Sequence, residues 1–215
     1  MKPILILLYH RSETNLNIND VVCQLKSKSK SERDIPRYAV FAPLIEIKNN
    51  THLLFEIRSN KLKNQPGEIS FPGGKIENDE SWREAALRET IEELNIHINQ
   101  LEWVSDLEIA TISDSRLVYA GIGKIDANFL SIKPNCDEVY KLFTAPLSFF
   151  INTKPEIYYV KKEIKPPHDF PYELIPNGKN YNWHDEGYQV PFFIYKNQII
   201  WGLTARIIID IVSRL

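Results

Sequence analysis

Cysteine is scarce in this 215-residue chain: Cys23 and Cys136 stand far apart and form no Cys-x-x-Cys pair. That spacing supports neither a disulfide framework nor a thiolate zinc site, and it suits a reducing compartment. Histidine gives no metal pattern either, because His10, His52, His97, His168 and His184 fall into no H-x3-H or HExxH spacing. An excess of charge of one sign is also missing. With 26 Lys+Arg against 28 Asp+Glu the net charge is −2, so no global field draws the chain to nucleic acid. Long hydrophobic runs are absent as well: the apolar opening at residues 3–9 is followed at once by His10-Arg11-Ser12-Glu13. It is too short to span a membrane, has no small-residue cleavage site, and reads as a strand or packing segment. No nucleic acid or membrane partner is expected.

What is present is enough for one core. An apolar content of 43% in 215 residues fills a single domain, and no linker demands a second. Residues 19–27 read as a short helix, and the basic run KSKSKSER at 26–33 reads as a solvated connection. The expected organisation is an N-terminal extension over 1–34 and one domain over 35–215.

Residues 74–96 read GKIENDESWREAALRETIEELNI. At 100° per residue, Glu89, Glu92 and Glu93 fall within about 100° of arc, opposite Ala86, Leu87, Thr90, Ile91 and Leu94. One face is built for packing and the other for charge. Like charges three and four residues apart destabilise a helix by about 0.2–0.5 kcal/mol per pair, and Arg88 alone under-neutralises them. A hard divalent cation, Mg2+ or Mn2+, is the natural complement, because both take oxygen ligands and leave positions for water and phosphate. The helix limits are legible independently: Ser81 and Glu84 form a capping box at its start, and Asn95 sits where a left-handed residue should stop it.

Gly74, Glu80, Arg88, Glu89, Glu92, Glu93 and Ile96 are in register with the Nudix box, G-x5-E-x7-R-E-U-x-E-E-x-G-U, where U is a bulky aliphatic residue. Thr90 stands at an aliphatic position of that pattern and Asn95 at its last glycine. The resemblance implies an α/β (α+β) fold, a mixed β-sheet sandwiched between α-helices, and hydrolysis of a nucleoside diphosphate linked to another moiety. It assigns the metals to Glu89, Glu92 and Glu93, the general base to Glu89 and the orientation of a carboxylate to Arg88. Glu80 is expected to brace the loop through Arg88. Gly73 or Gly74 can lend a backbone carbonyl, because no side chain obstructs the approach.

Just upstream, Arg58-Ser59, Lys63, Gly67 and Phe71-Pro72-Gly73-Gly74 resemble the coenzyme A diphosphatase signature RS-x3-R-x3-G-x3-FPGG, with Lys63 in place of arginine. Lysine keeps the charge and loses the planar fork. Arg58, Lys61 and Lys63 before a glycine turn offer cations to a diphosphate and a 3'-phosphate. Residues 171–181 and 199–211 look like the closing segments of bacterial members, so the likeness spans roughly residues 38–211. The implied reaction converts coenzyme A or its derivatives to 3',5'-ADP and 4'-phosphopantetheine. ADP-ribose, a dinucleotide or a damaged nucleotide is the rival substrate class, and a nucleotide-sensing module without turnover is a rival of another kind.

Glu138, in Asn135-Cys136-Asp137-Glu138-Val139, is read either as an extra ligand or base or as a surface-loop acid. Strands are expected at 38–47 and 53–57, joined at Asn49-Asn50. More are expected near 96–103, 107–111, 117–124, 139–143, 157–160 and 189–195. Helices are expected at 146–151 and 204–212, the latter with Thr204 as a cap. Gly121-Ile122-Gly123 is read as close strand packing, since no helix follows it. The closing Ser213-Arg214-Leu215 resembles a peroxisomal signal. Bacterial cytoplasm is the expected location, the expected partner is a small-molecule substrate, and both a monomer and a homodimer stay open.

Overall fold

The computed structural model describes residues 36–215, apart from 78, 108–109, 114–115 and 184–185. The readings made for residues 1–34, including Cys23 and His10, and for His184 lie outside the described residues. Pro36–Leu215 forms one compact unit.

The strands follow the apolar alternation. β1 (Arg37–Ile47) and β2 (Asn50–Arg58) form the expected hairpin. Its turn is Lys48-Asn49, one residue earlier than expected, because both residues take positive φ (50° and 60°). That is the geometry of a two-residue hairpin turn whose twist matches the strands. After β2 come the short β3 (Ile69–Ser70) and β4 (Gly73–Lys75), the helix α1 (Trp82–Leu94), β5 (Leu101–Asp106), β6 (Ala110–Ser113), β7 (Arg116–Ile125) and β8 (Val139–Pro146). Helix α2 (Leu147–Asn152), β9 (Glu156–Lys162), β10 (Glu186–Tyr195), β11 (Gln198–Trp201) and helix α3 (Gly202–Ser213) complete the unit.

The large sheet runs β3-β2-β1-β7-β5, with β4 on β1, β6 on β7 and β8 on β2. β1 and β7 are parallel and the other pairs antiparallel, which makes the sheet mixed. β1 pairs with β2 only from Leu44 to Ile47, and at Tyr38 to Val40 the same strand pairs with β4 instead. β1 and β2 therefore diverge, and the Phe71-Pro72-Gly73-Gly74 turn enters the gap. A bond from the Phe41 N–H to the Pro72 carbonyl (2.9 Å) holds it there.

Period-two alternation divides the sheet's side chains between two cores. Ala39, Phe41, Ile45 and Leu54 face α1 and pack on Ala85, Ala86 and Leu94. Ala42, Leu53 and Phe55 face the other way, onto Phe150 of α2 and Ile207, Ile208 and Ile211 of α3. Helices on both faces of a mixed sheet are the expected α+β layering. Beside it, β11-β10-β9 form a separate three-stranded sheet.

Two expectations shift and a third holds. Residues 96–103 are not one strand: the Gln100 side chain accepts the His97 N–H (2.9 Å), closing a 3-10 turn at Ile98–Gln100 before β5 begins. Thr204 is not a cap but lies inside α3, where its hydroxyl donates to the Ile69 carbonyl (3.1 Å). The glycines at 121 and 123 do serve close packing, since a Cβ at Gly121 would overlap the Trp103 ring and one at Gly123 the Glu102 carbonyl. No helix among the described residues is long and apolar enough to cross a membrane.

Both ends of α1 form as the sequence dictates. The Ser81 hydroxyl accepts the Glu84 N–H (3.3 Å) and the Glu84 carboxylate accepts the Ser81 N–H (2.8 Å), a reciprocal cap whose removal costs about 1 kcal/mol. At the other end Asn95 is left-handed, φ 50° and ψ 49°, and its amide donates to the Lys133 carbonyl (2.9 Å). Asn95→Gly is expected to change stability little, since the conformational gain offsets the lost bond. Asn95→Val loses the bond and adds left-handed strain, and should cost about 2 kcal/mol in denaturant unfolding. A neutral valine would place residue 95 outside the left-handed region.

Candidate active site

The site is assembled where α1 crosses the glycine turn. Glu93 is only 3% exposed; its carboxylate accepts the Gly73 N–H at 2.9 Å. Glu89, one turn earlier, lies over Gly74, where any Cβ would overlap its carboxylate. Gly73 itself has φ +152°, and a Cβ there would strike the Ala39 carbonyl. These glycines let backbone and acid approach closely. The charged stripe of α1 thus turns toward the protein rather than toward solvent.

A third acid arrives from a distant loop. The Asn135 N–H bonds to the Glu93 carbonyl (2.9 Å) and the Ser59 N–H to the Glu138 carbonyl (2.8 Å), which together bring residues 135–138 beside α1. One carboxylate oxygen from each of Glu89, Glu93 and Glu138 then lies within 4.8 Å of the others. The structure thus places Glu138 beside the two helix acids. The oxygen-only donor set suits a hard divalent cation such as Mg2+ or Mn2+.

Glu92 is not part of that group. Its side chain is 54% exposed and pairs with Arg88 at 3.1 Å. Arg88 also donates to Glu89 (3.0 Å), to the Lys75 carbonyl (3.3 Å) and, through a fork, to both oxygens of Glu80 (2.9 and 3.1 Å). Glu80 in turn accepts the Glu77 N–H (2.8 Å). Arg88 therefore braces the loop and orients Glu89, as a planar guanidinium can. Its pKa is pushed above the ordinary value, first by the Glu80 bond.

One acid escapes the sequence reading. Glu56, on β2, is fully buried; one oxygen accepts the Ser70 hydroxyl (2.8 Å) and lies 3.7 Å from Arg58. The other oxygen has no hydrogen-bond partner among the described residues. Its signal was available: in LLFEIR, Glu56 follows Leu54 by two and so shares the α1-facing side of β2. Burial raises the pKa of Glu56. Glu93 is raised by burial first and by Glu56 second, and Glu89 by burial first.

The remaining expected residues occupy different surroundings. Phe71 is 2% exposed and stacks on Phe55 at 4.9 Å, so its ring supports the turn from the core and presents no surface to a substrate. Arg58 is half-buried beside Glu56. Lys61 is exposed and paired with Asp137 (2.8 Å), and Lys63 and Gly67 are exposed. The loop closes through the Gly67 N–H to the Arg58 carbonyl (3.1 Å), and Gly67 is left-handed at φ +74°.

A mixed sheet between helices, with the acids of one helix folded against a glycine turn, defines a class. The Nudix domain matches residues 36–147, and the chain belongs to the Nudix hydrolase family. It is 33% identical over 174 residues to the mouse peroxisomal coenzyme A diphosphatase NUDT7, covering 80% of this chain and 66% of that protein. It is 31% identical to the human mitochondrial coenzyme A diphosphatase NUDT8, covering 79% of this chain and 65% of that one. A Photorhabdus laumondii protein, the uncharacterized Nudix hydrolase NudL, is 30% identical, with 89% of this chain and 91% of the other aligned. The chain thus spans about two thirds of the length of the two coenzyme A diphosphatases.

The raised carboxyls predict a pH signature. A carboxyl whose folded pKa exceeds its unfolded value gives stability that is full below the unfolded pKa and is lost as pH rises through the folded one. In a chelator, the melting temperature should therefore fall as pH rises from the ordinary carboxylate value of 4.5 into the alkaline range. Added Mn2+ should raise it, and more so at higher pH. Calorimetry showing a rise with pH in chelator would contradict the burial of these acids.

Proposed function

We propose that the protein is a divalent-metal-dependent diphosphatase that hydrolyses coenzyme A or its derivatives to 3',5'-ADP and 4'-phosphopantetheine or its acyl form. The observation that carries the reading is the convergence of Glu89, Glu93 and Glu138 beside a glycine turn preceded by a basic loop. The names of the mouse and human relatives support the substrate class.

In this reading Glu89, Glu93 and Glu138 would hold Mg2+ or Mn2+, with Glu92, once released from Arg88, and the Gly73 carbonyl as further oxygen donors. The cation supplies Lewis-acid chemistry, making water more acidic and offsetting charge on the phosphoryl oxygens. Glu89, oriented by its bond from Arg88 (3.0 Å), accepts the proton of the attacking water. The water oxygen bonds to phosphorus as the anhydride P–O bond breaks, and the leaving phosphate carries away the charge. Arg58 and Lys63 bind the phosphates, Lys61 joins them by exchanging Asp137 for an anionic substrate group, and Gly67 and Gly74 admit the substrate to the backbone. Phe71 contributes by holding that backbone in place.

Hydrolysis should require Mg2+ or Mn2+, and Glu93→Gln should lower kcat by at least about 10²-fold with folding retained by thermal melt. Full activity in EDTA would remove the metal site. Coenzyme A should exceed dephospho-coenzyme A in kcat/KM by about 10- to 150-fold, the worth of one charged hydrogen bond. Lys63→Ala should shrink that ratio and Lys63→Arg should preserve or raise it. Equal rates on both compounds would detach the basic loop from the 3'-phosphate, and a much faster rate on ADP-ribose would move the assignment to that substrate class.

A further inference from the structure

The small sheet ends in a strand whose outer edge pairs with no described residue. β9, reading EIYYVKK, pairs with β10 on one edge and with no described residue on the other. Every residue of β9 is exposed, including Ile157 (54%), Tyr158 (56%), Tyr159 (63%) and Val160 (42%). An edge of this kind carries unpaired N–H and C=O groups together with large apolar side chains, and soluble proteins normally blunt such edges or cover them. The outer face of the sheet continues the apolar surface: Tyr158 packs edge-on against Phe192, Phe192 stacks on Trp201, and Ile194 pairs with Ile199.

On the face that carries residues 156, 158, 160 and 162 the sequence of β9 is complementary to itself when reversed, while on the other face Ile157 meets Lys161. With two copies antiparallel and a two-fold axis through Tyr159, Glu156 of each copy faces Lys162 of the other. Tyr158 then faces Val160, an aromatic and β-branched pair of the type that stabilises neighbouring strands. Neighbouring registers lack this match. Centred on Tyr158, the pairing sets Glu156 against Val160 and leaves the lysines unopposed; centred on Val160, it sets Tyr158 against Lys162. The charge pattern thus selects both the partner and the register.

We infer that β9 is a dimer edge, and that two copies of this chain join their three-stranded sheets into one six-stranded sheet through antiparallel β9 pairing centred on Tyr159. The interface is isologous, so each Glu156-Lys162 contact occurs twice about the axis. Glu156 is already poised, because its carboxylate accepts the Tyr158 hydroxyl (2.9 Å) across the same face.

The test is sedimentation equilibrium of the full chain, with circular dichroism as the folding check. The wild type should be a dimer at micromolar concentration. Lys162→Glu, which sets two acids face to face at both ends, should weaken the dimer by at least about tenfold. Glu156→Lys combined with Lys162→Glu restores opposite charges and should restore the dimer. A monomeric wild type overturns the inference. So does a dimer indifferent to Lys162→Glu, and so does a double variant that stays monomeric.

Discussion

The bond from the Gly73 N–H to the Glu93 carboxylate is the contact on which the rest of the site depends. It joins the end of the acidic helix to the turn that enters the split between β1 and β2. Because the bond is made by backbone, α1 must approach within hydrogen-bonding distance of the chain itself, and only a residue without a side chain permits that at positions 73 and 74. Bulk at either position would move the helix or displace its acids. The sheet's divergence, the paired glycines and the inward turn of the acids are therefore one constraint seen from three sides.

Much of this was legible in the sequence for local reasons. Ser81, Glu84 and Asn95 declare the helix by capping chemistry within a few residues of each other, and the structure forms both caps. The acids at 89 and 93 follow from helical periodicity. Most of what escaped is non-local. Glu56 shares the parity of Leu54 in β2, but its burial against Glu93 also needs that face of β2 to meet α1, which is a tertiary fact. Phe71 sits in a signature beside the substrate loop, yet stacking on Phe55 draws its ring into the core. Thr204 has the chemistry of a cap, and a tertiary partner, the Ile69 carbonyl, claimed its hydroxyl instead. Residues 96–103 failed as a strand because Gln100 closes a turn on His97, a side-chain bond that period-two patterning does not register.

The electrostatics of the site are asymmetric. Glu80 and Arg88 form a forked, partly solvated pair on the loop side, where the charge is well neutralised. Glu56 and Glu93 sit on the sheet side, where burial opposes ionisation and only Arg58, Ser70 and the Gly73 N–H offset it. Catalytic sites commonly set carboxyls of different environment side by side, since one fold must then hold both charged and neutral groups near the same substrate.

Two bonds join the basic loop to the turn that carries the third acid: the Ser59 N–H reaches the Glu138 carbonyl, and Lys61 pairs with Asp137. The loop and the turn are thus tied at two points. Under the proposed function, a cation at the three acids and an anion on the loop would be thermodynamically linked, and whatever factor one imposed on the affinity of the other would be returned in equal measure. In the same reading Lys61 would be the relay in that exchange. A phosphate that drew it from Asp137 would remove one tie to the turn that carries Glu138, so metal and substrate would be read by the same few residues.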